Sequence, residues 1–197
     1  MIAPITFRPA RSGDCSDLAV LSDMASRRLA SAMWDRAAGA GQSGLEIGRE
    51  KIRTDVGQTF HYTHWVVAER DGQLLGGMNS CRIARVSGTS AQAELPEFLV
   101  PLNALKAVAV GTWYIATAAV LPEARGQGVG SALLAKAEEL ARDAGCRQLT
   151  LMVGSFNAGA HRLYLRCGFR EWDRRGFVPF DRSDQSGEWI LMVRDLP

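Results

Sequence analysis

The stretch PEARGQGVGSALL, Pro122 to Leu134, places Gly126, Gly128 and Gly130 within five residues and then runs directly into helix-favouring residues. Glycine is about 1 kcal/mol worse than alanine inside a helix. Three of them at a helix entrance therefore predict a backbone that something must approach closely. A strand-to-helix turn of this kind presents amide N–H groups without carbonyl partners, reinforced by the positive end of the helix dipole. Phosphate is its natural ligand. Two familiar phosphate loops do not fit: no Lys-Ser or Lys-Thr pair follows the glycines as a P-loop requires, and Ser131 stands where a dinucleotide fingerprint needs its third glycine. A nicotinamide-dependent dehydrogenase thus has only loose loop similarity behind it.

Other chemistry-bearing residues are sparser. His61 and His64 in HYTH are spaced i, i+3, but with no third ligand in view they predict no metal site. Cys15, Cys81, Cys146 and Cys167 are far apart and form no C-x-x-C, so they read as small apolar residues rather than a zinc site or a disulfide framework.

The elements that must position the glycine turn can be traced along the chain. A length of 197 residues with 47% hydrophobic content supports one sizeable core, read here as a single domain, 1–197. A net charge of +2 with dispersed acids and bases gives no basic stripe, so no nucleic-acid partner is expected. The start MIAPITFRPA lacks a basic segment followed by a long apolar one, and the longest apolar run, Tyr114 to Leu121, is too short to span a membrane. A soluble cytoplasmic protein without a membrane partner is expected.

Ile5 to Ala10 reads as a strand, and Ser12 or Asp14 as the cap of a helix through Leu18, Leu21, Met24 and Ala25. AAGAGQSG reads as a loop and LEIGREKIRTDV as an amphipathic helix. Two β-rich runs flank Asp71-Gly72, a strong hairpin signal. Val86 to Gly111 is a long connection with a short helix expected near Glu94 to Leu99. Then come a strand at Trp113 to Val120, the glycine turn, a helix at Ser131 to Ala144 with Gly145 as its C-terminal cap, and a strand at Cys146 to Val153. Strand, helix, strand at this length implies parallel neighbours joined by a right-handed crossover. Asn157 can cap a further helix, with Ala160, Leu163, Tyr164 and Cys167 on its buried face and Gly168 at its end, and His161 facing solvent. Two strands close the chain, in GFREWDRRGFVPF and GEWILMVRDL.

Arg125, Gly128 and Gly130 satisfy the pattern Gln or Arg, two residues, Gly, one residue, Gly or Ala. An apolar strand, Thr117 to Val120, leads into it, and NAGAHRLYLRCGF matches a second signature at Asn157, Ala160, Leu163, Tyr164, Gly168 and Phe169. On these residues the chain resembles the GNAT superfamily of acyl-CoA-dependent N-acyltransferases, tightly from Trp113 to Phe169 and loosely in the flanking strands. The resemblance implies the GNAT fold, an α/β (α+β) architecture with a mixed, mostly antiparallel central sheet, a splayed parallel strand pair and flanking helices. It implies acetyl-CoA as cofactor, with backbone groups of Ala118, Ala119 and Val120 beside the pantetheine arm. The pyrophosphate would lie on Arg125, Gly126, Gln127, Gly128, Val129, Gly130 and Ser131, with Asn157 as a further contact. Tyr164, in that family's pattern, protonates the departing thiolate.

Each of these residues also has a purely structural reading: Arg125 as a solvated side chain, Asn157 as a helix cap, Tyr164 as a core tyrosine whose hydroxyl finds a local partner. The implied acceptor is a small-molecule or peptide amine, and an exposed sheet edge could pair with a second copy to make a homodimer. Asp35, Glu94 and Glu97 are candidate bases by location, and Thr117 or Tyr114 could instead hold a water. A non-catalytic acyl-CoA-binding or sensing protein is the alternative on the same scaffold.

Overall fold

A computed structural model describes residues 3–84 and 95–197. Seven strands, β1 (Thr6–Pro9), β2 (Trp65–Arg70), β3 (Gln73–Arg82), β4 (Trp113–Val120), β5 (Gln148–Gly154), β6 (Arg170–Gly176) and β7 (Glu188–Asp195), form a sheet in the order β1-β2-β3-β4-β5-β7-β6. The β4–β5 pair is parallel, while β1–β2, β2–β3, β5–β7 and β6–β7 are antiparallel. Among the described residues six α-helices accompany them: α1 (Cys15–Ala25), α2 (Leu29–Ala37), α3 (Gly44–Thr54), α4 (Val100–Val108), α5 (Val129–Asp143) and α6 (Ala158–Arg166). The expected fold class, a mixed and mostly antiparallel sheet with a parallel pair and flanking helices, is the one observed. Among the described residues no helix is long and apolar enough to cross a membrane. The chain divides into two compact units, Met1–Cys81 with Ala116–Lys136 and Asp181–Ser183, and Arg82–Ile115 with Ala137–Phe180 and Asp184–Pro197.

The core of the first unit joins Leu18, Ala19 and Leu21 of α1, Ile52 of α3, Trp65 and Val67 of β2, and Ala119 of β4. Each fully buried leucine there contributes about 2 kcal/mol. Several polar groups buried here are matched, though Ser22 Oγ and Asn79 Oδ1 find no partner among the described residues. Trp65 Nε1 donates to Phe60 O at 3.2 Å, and Asn79 Nδ2 to Thr59 O at 2.7 Å. Buried His61 uses both ring nitrogens, Nε2 on Arg53 O at 3.1 Å and Nδ1 on the Thr63 hydroxyl at 2.8 Å, so HYTH serves as a structural clamp.

One helix start departs from the sequence reading. Asp14 does not cap α1, because its carboxylate accepts from Arg11 N at 2.6 Å and from Arg8 at 2.8 and 3.0 Å. Those bonds to the Arg8 guanidinium hold it below the usual aspartate range. By contrast, α3 starts with a reciprocal Ser43–Glu46 capping box.

Asp71 (φ 50°) and Gly72 (φ 76°) form the expected hairpin turn between β2 and β3. On β3, a Cβ at Gly76 would overlap the carbonyl oxygen of Ala119 and come within 3.0 Å of Val120 Cα. Those are backbone atoms, so a side chain there forces β3 and β4 apart. Gly76→Val should lower unfolding stability by about 3 kcal/mol, the upper range for overpacking. A denaturant midpoint equal to wild type would contradict the close approach.

In the second unit β7 is the central strand, with Ile190, Leu191, Met192 and Val193 all buried in succession. Leu105 and Ala109, in and just after α4, pack with Ile83, Trp189 and Leu191. Phe156, Phe177 and Trp189 form an aromatic group with centroids 5.4 to 5.7 Å apart. Tyr114 packs against this core with Lys106 Nζ 6.0 Å from its ring centre. Buried Thr112 and Thr150 share a hydroxyl bond of 2.6 Å that fixes the start of the parallel register. The edge strand β6 carries Arg170, Glu171, Asp173, Arg174 and Arg175, a density of charge that disfavours pairing with another strand.

Other boundaries moved by a few residues. The helix expected near Glu94 to Leu99 is a 3₁₀ turn at Glu97–Leu99 followed by α4, and Glu94 lies outside the described residues. The second element in the long N-terminal stretch, α2, had no counterpart in the sequence reading.

Candidate active site

The glycine turn lies in the first unit and is held at both ends by burial. Leu121 N donates to Leu75 O at 2.9 Å, the last sheet bond before the chain leaves β4. Pro122–Ala124 then make one 3₁₀ turn whose Ala124 is buried, and Arg125 returns to extended backbone. Gly126 (φ 74°) and Gly128 (φ 82°) take left-handed conformations that an L side chain rarely adopts. Val129, almost fully buried, anchors the first turn of α5. The helix begins two residues before the expected Ser131, which places Gly130 and Ser131 inside its first turn.

A Cβ built at Gly126 or Gly128 would meet nothing within 4 Å. The glycines are thus required by backbone conformation, and the space above them is open. The first N–H groups of α5 have no partner within the helix by construction. Arg125 is exposed. These residues fit a diphosphate: a glycine turn, a helix N-terminus, a cation and room.

Strand alternation sorts the three β4 residues. Leu121 turns its N–H toward β3, and Ala119, two residues earlier, turns the same way. Its side chain is in the unit core. Ala118 and Val120 therefore direct their amide and carbonyl groups to the edge of β4 away from β3. Of the three expected pantetheine contacts, Ala118 and Val120 turn their backbone groups away from β3 and Ala119 turns its own toward it.

Asn157 and Tyr164 lie in the second unit on α6. Asn157 caps the helix, its Oδ1 accepting from Ala160 N at 3.4 Å. Gly168 (φ 83°) ends it, with Phe169 N donating back to Tyr164 O at 3.0 Å. The face with Ala160, Leu163, Tyr164 and Cys167 is half-buried rather than buried. His161 does not simply face solvent, because its Nε2 meets Glu171 Oε1 at 2.8 Å and ties α6 to β6.

Tyr164 touches Phe169 with ring centroids 5.9 Å apart, and its hydroxyl makes no hydrogen bond among the described residues. Burial pushes its pKa up to about 12. It therefore carries its proton throughout the neutral range and has not spent it on a neighbour.

The base candidates fare differently. Asp35 Oδ2 accepts from Arg182 Nη1 at 2.9 Å while Oδ1 lies over Gly44, so it braces α2 and α3. Glu97 is exposed at the start of its 3₁₀ turn. Thr117 is buried.

Residues 42–169, which include the whole glycine turn and α6, match the acetyltransferase (GNAT) family. The chain belongs to that family. This GNAT acetyltransferase is 27% identical over 177 residues to the thialysine N-epsilon-acetyltransferase of Bos taurus, covering 86% of each chain. Over 52 residues it is 50% identical to the aminoalkylphosphonate N-acetyltransferase of Salmonella typhimurium, covering 26% of this chain and 34% of that one. Its fold is shared with a Salmonella typhimurium structure solved with acetyl-CoA, at a TM-score of 0.60 and 20% identity, covering 98% and 94% of the two chains. It is shared also with the ribosomal-protein-alanine N-acetyltransferase of Brucella melitensis, at 0.61 and 22%, covering 97% and 99%. The acetyltransferase assignment replaces the looser dehydrogenase reading of the glycine turn.

Proposed function

We propose that this GNAT enzyme transfers an acetyl group from acetyl-CoA to a small-molecule or peptide amine, by direct attack with both substrates bound. The observation that carries the reading is the open glycine turn: two left-handed glycines with empty space above them, between buried Ala124 and Val129 and at the start of α5. The names of the relatives, one for the ε-nitrogen of an amino acid and one for an aminoalkylphosphonate, support a small amine acceptor. The acetyl-CoA named with a structure of the same fold supports the donor.

Acetyl-CoA supplies an activated thioester. Gly126 to Ser131, with Arg125, hold its diphosphate, and the backbone of Ala118 and Val120 aligns its pantetheine arm. The amine nitrogen bonds to the thioester carbon, the C–S bond breaks, and the Tyr164 Oη proton passes to the sulfur. A thiol near pKa 8.5 is a weaker base than a tyrosinate near 12 by about 3.5 units, so the net transfer is uphill by about 5 kcal/mol. It is concerted with collapse toward the stable amide, and the proton lost by the newly bonded nitrogen returns the tyrosinate to its protonated form. The acceptor must be neutral to attack, and an amine of pKa near 10.4 is about one part in several thousand neutral at pH 7. The rate should therefore rise with pH through the neutral range.

Direct transfer predicts initial-rate lines that intersect when acetyl-CoA and a primary amine are varied together. Parallel lines, the signature of an acetylated enzyme, would contradict it.

A further inference from the structure

We propose that Arg70 is a positioning residue for the glycine turn, holding it in its ligand-ready shape from the β2–β3 hairpin through Gln127. The proposal rests on the reading of that turn as a diphosphate cradle. Arg70 is the last residue of β2, immediately before the Asp71-Gly72 turn. Its Nη1 donates to Gln127 Oε1 at 2.6 Å, linking residues 57 apart in sequence. Gln127 Nε2 in turn donates to Glu123 O at 3.0 Å. Gln127 is the single side chain between Gly126 and Gly128, and it is tied at both ends.

That tie matters because the two glycines carry no restraint of their own. Nothing lies within 4 Å of either Cβ position, and glycine visits positive and negative φ about equally. Without the Gln127 strut the amides on either side of it would spread over many orientations, and ligand binding would have to re-order them. The hairpin supplies the order in advance.

The placement of the guanidinium favours this role. Arg70 Nε is buried and has no hydrogen-bond partner among the described residues, and no carboxylate pairs with the side chain there. An arginine placed for its own solvation would expose that donor. Here the side chain is drawn in to Gln127, and its uncompensated charge stands beside the proposed anion cradle.

The test is calorimetric titration of coenzyme A into wild type, Arg70→Ala, Gln127→Ala and the double variant, with steady-state kinetics and thermal midpoints for each. Each single substitution should raise Kd for coenzyme A about tenfold, the effect of one charge-assisted hydrogen bond. The double variant should be no weaker than the weaker single, because both remove the same strut. KM for acetyl-CoA should rise with Kd while kcat falls by less than about twofold, a split that simple loss of stability would not produce.

An unchanged Kd in Arg70→Ala, with or without a lower midpoint, would overturn the proposal. So would additive losses in the double variant, which would mean that Arg70 acts on the ligand independently of Gln127. Wild type that fails to bind coenzyme A would overturn the cradle reading itself, an outcome distinct from wild type that binds and a variant that is indifferent.

Discussion

Tyr164→Phe should lower kcat about a hundredfold at pH 7 while changing KM for acetyl-CoA by no more than about twofold. The size is the lower range for a positioned general acid. The direction follows from three observations: a hydroxyl with no hydrogen-bond partner among the described residues, a pKa pushed up to about 12 by burial, and a place on the helix capped by Asn157. Phenylalanine keeps the ring packed on Phe169, so thermal stability should hold.

The pH dependence makes the prediction sharper. A group that must be protonated to act loses activity as pH rises through its pKa, and with that pKa at about 12 no loss from Tyr164 should appear below about pH 11. The leaving thiol, with a pKa near 8.5, needs a proton only below that value. The deficit of the phenylalanine variant should therefore narrow above about pH 9. A rate equal to wild type at pH 7 would remove Tyr164 from the mechanism and leave it a packing residue.

Gly128→Glu should abolish measurable binding of coenzyme A, a loss of at least about a thousandfold. Two effects add. The backbone at φ 82° is left-handed, which disfavours an L side chain by about 1 to 2 kcal/mol. The new carboxylate would occupy the open space above the turn, where it would both fill the cradle and repel a diphosphate. Gly128→Ala separates the two, since it brings the conformational penalty without charge or reach, and should weaken binding about tenfold. Calorimetry reads both. Normal affinity in Gly128→Glu would show that the cradle lies elsewhere.

What the sequence revealed follows the range of the interactions involved. The glycine turn, the Asp71-Gly72 hairpin, the Asn157 cap and the Gly145 and Gly168 helix ends are set by one residue and its immediate neighbours, and each appears where it was expected. Helix α2 was missed because its start is not encoded locally. The break before it is made by Arg27 (φ 53°) and Arg28 (φ 72°), two residues that do not advertise a left-handed turn. Its first amides are satisfied from the preceding helical segment, Ala30 N by Ser26 Oγ and Ser31 N by Asp23 Oδ1. Asp14 failed as a cap for a similar reason, because a partner six residues away in β1 claimed its carboxylate.

Within the site, the same division holds. The types and spacing at Arg125 to Ser131 and Asn157 to Phe169 carried the family resemblance and the proposed donor site. They could not show that Ala119 faces β3, that Asp35 is held by Arg182 across 147 residues, or that Arg70 reaches Gln127. Those facts depend on which strands become neighbours, and no local pattern carries that information.

The central claim is that an acetyl group moves from acetyl-CoA to an amine, and product analysis tests it most directly. Purified protein is incubated with acetyl-CoA and a panel of primary amines that includes thialysine and an aminoalkylphosphonate. Free thiol and N-acetylated amine are then quantified together by mass spectrometry. Appearance of one acetyl amide for each coenzyme A thiol released, with at least one amine, is the predicted result. Tight binding of acetyl-CoA with no acetylated amine from any member of the panel would contradict it and support a non-catalytic acyl-CoA-binding protein instead.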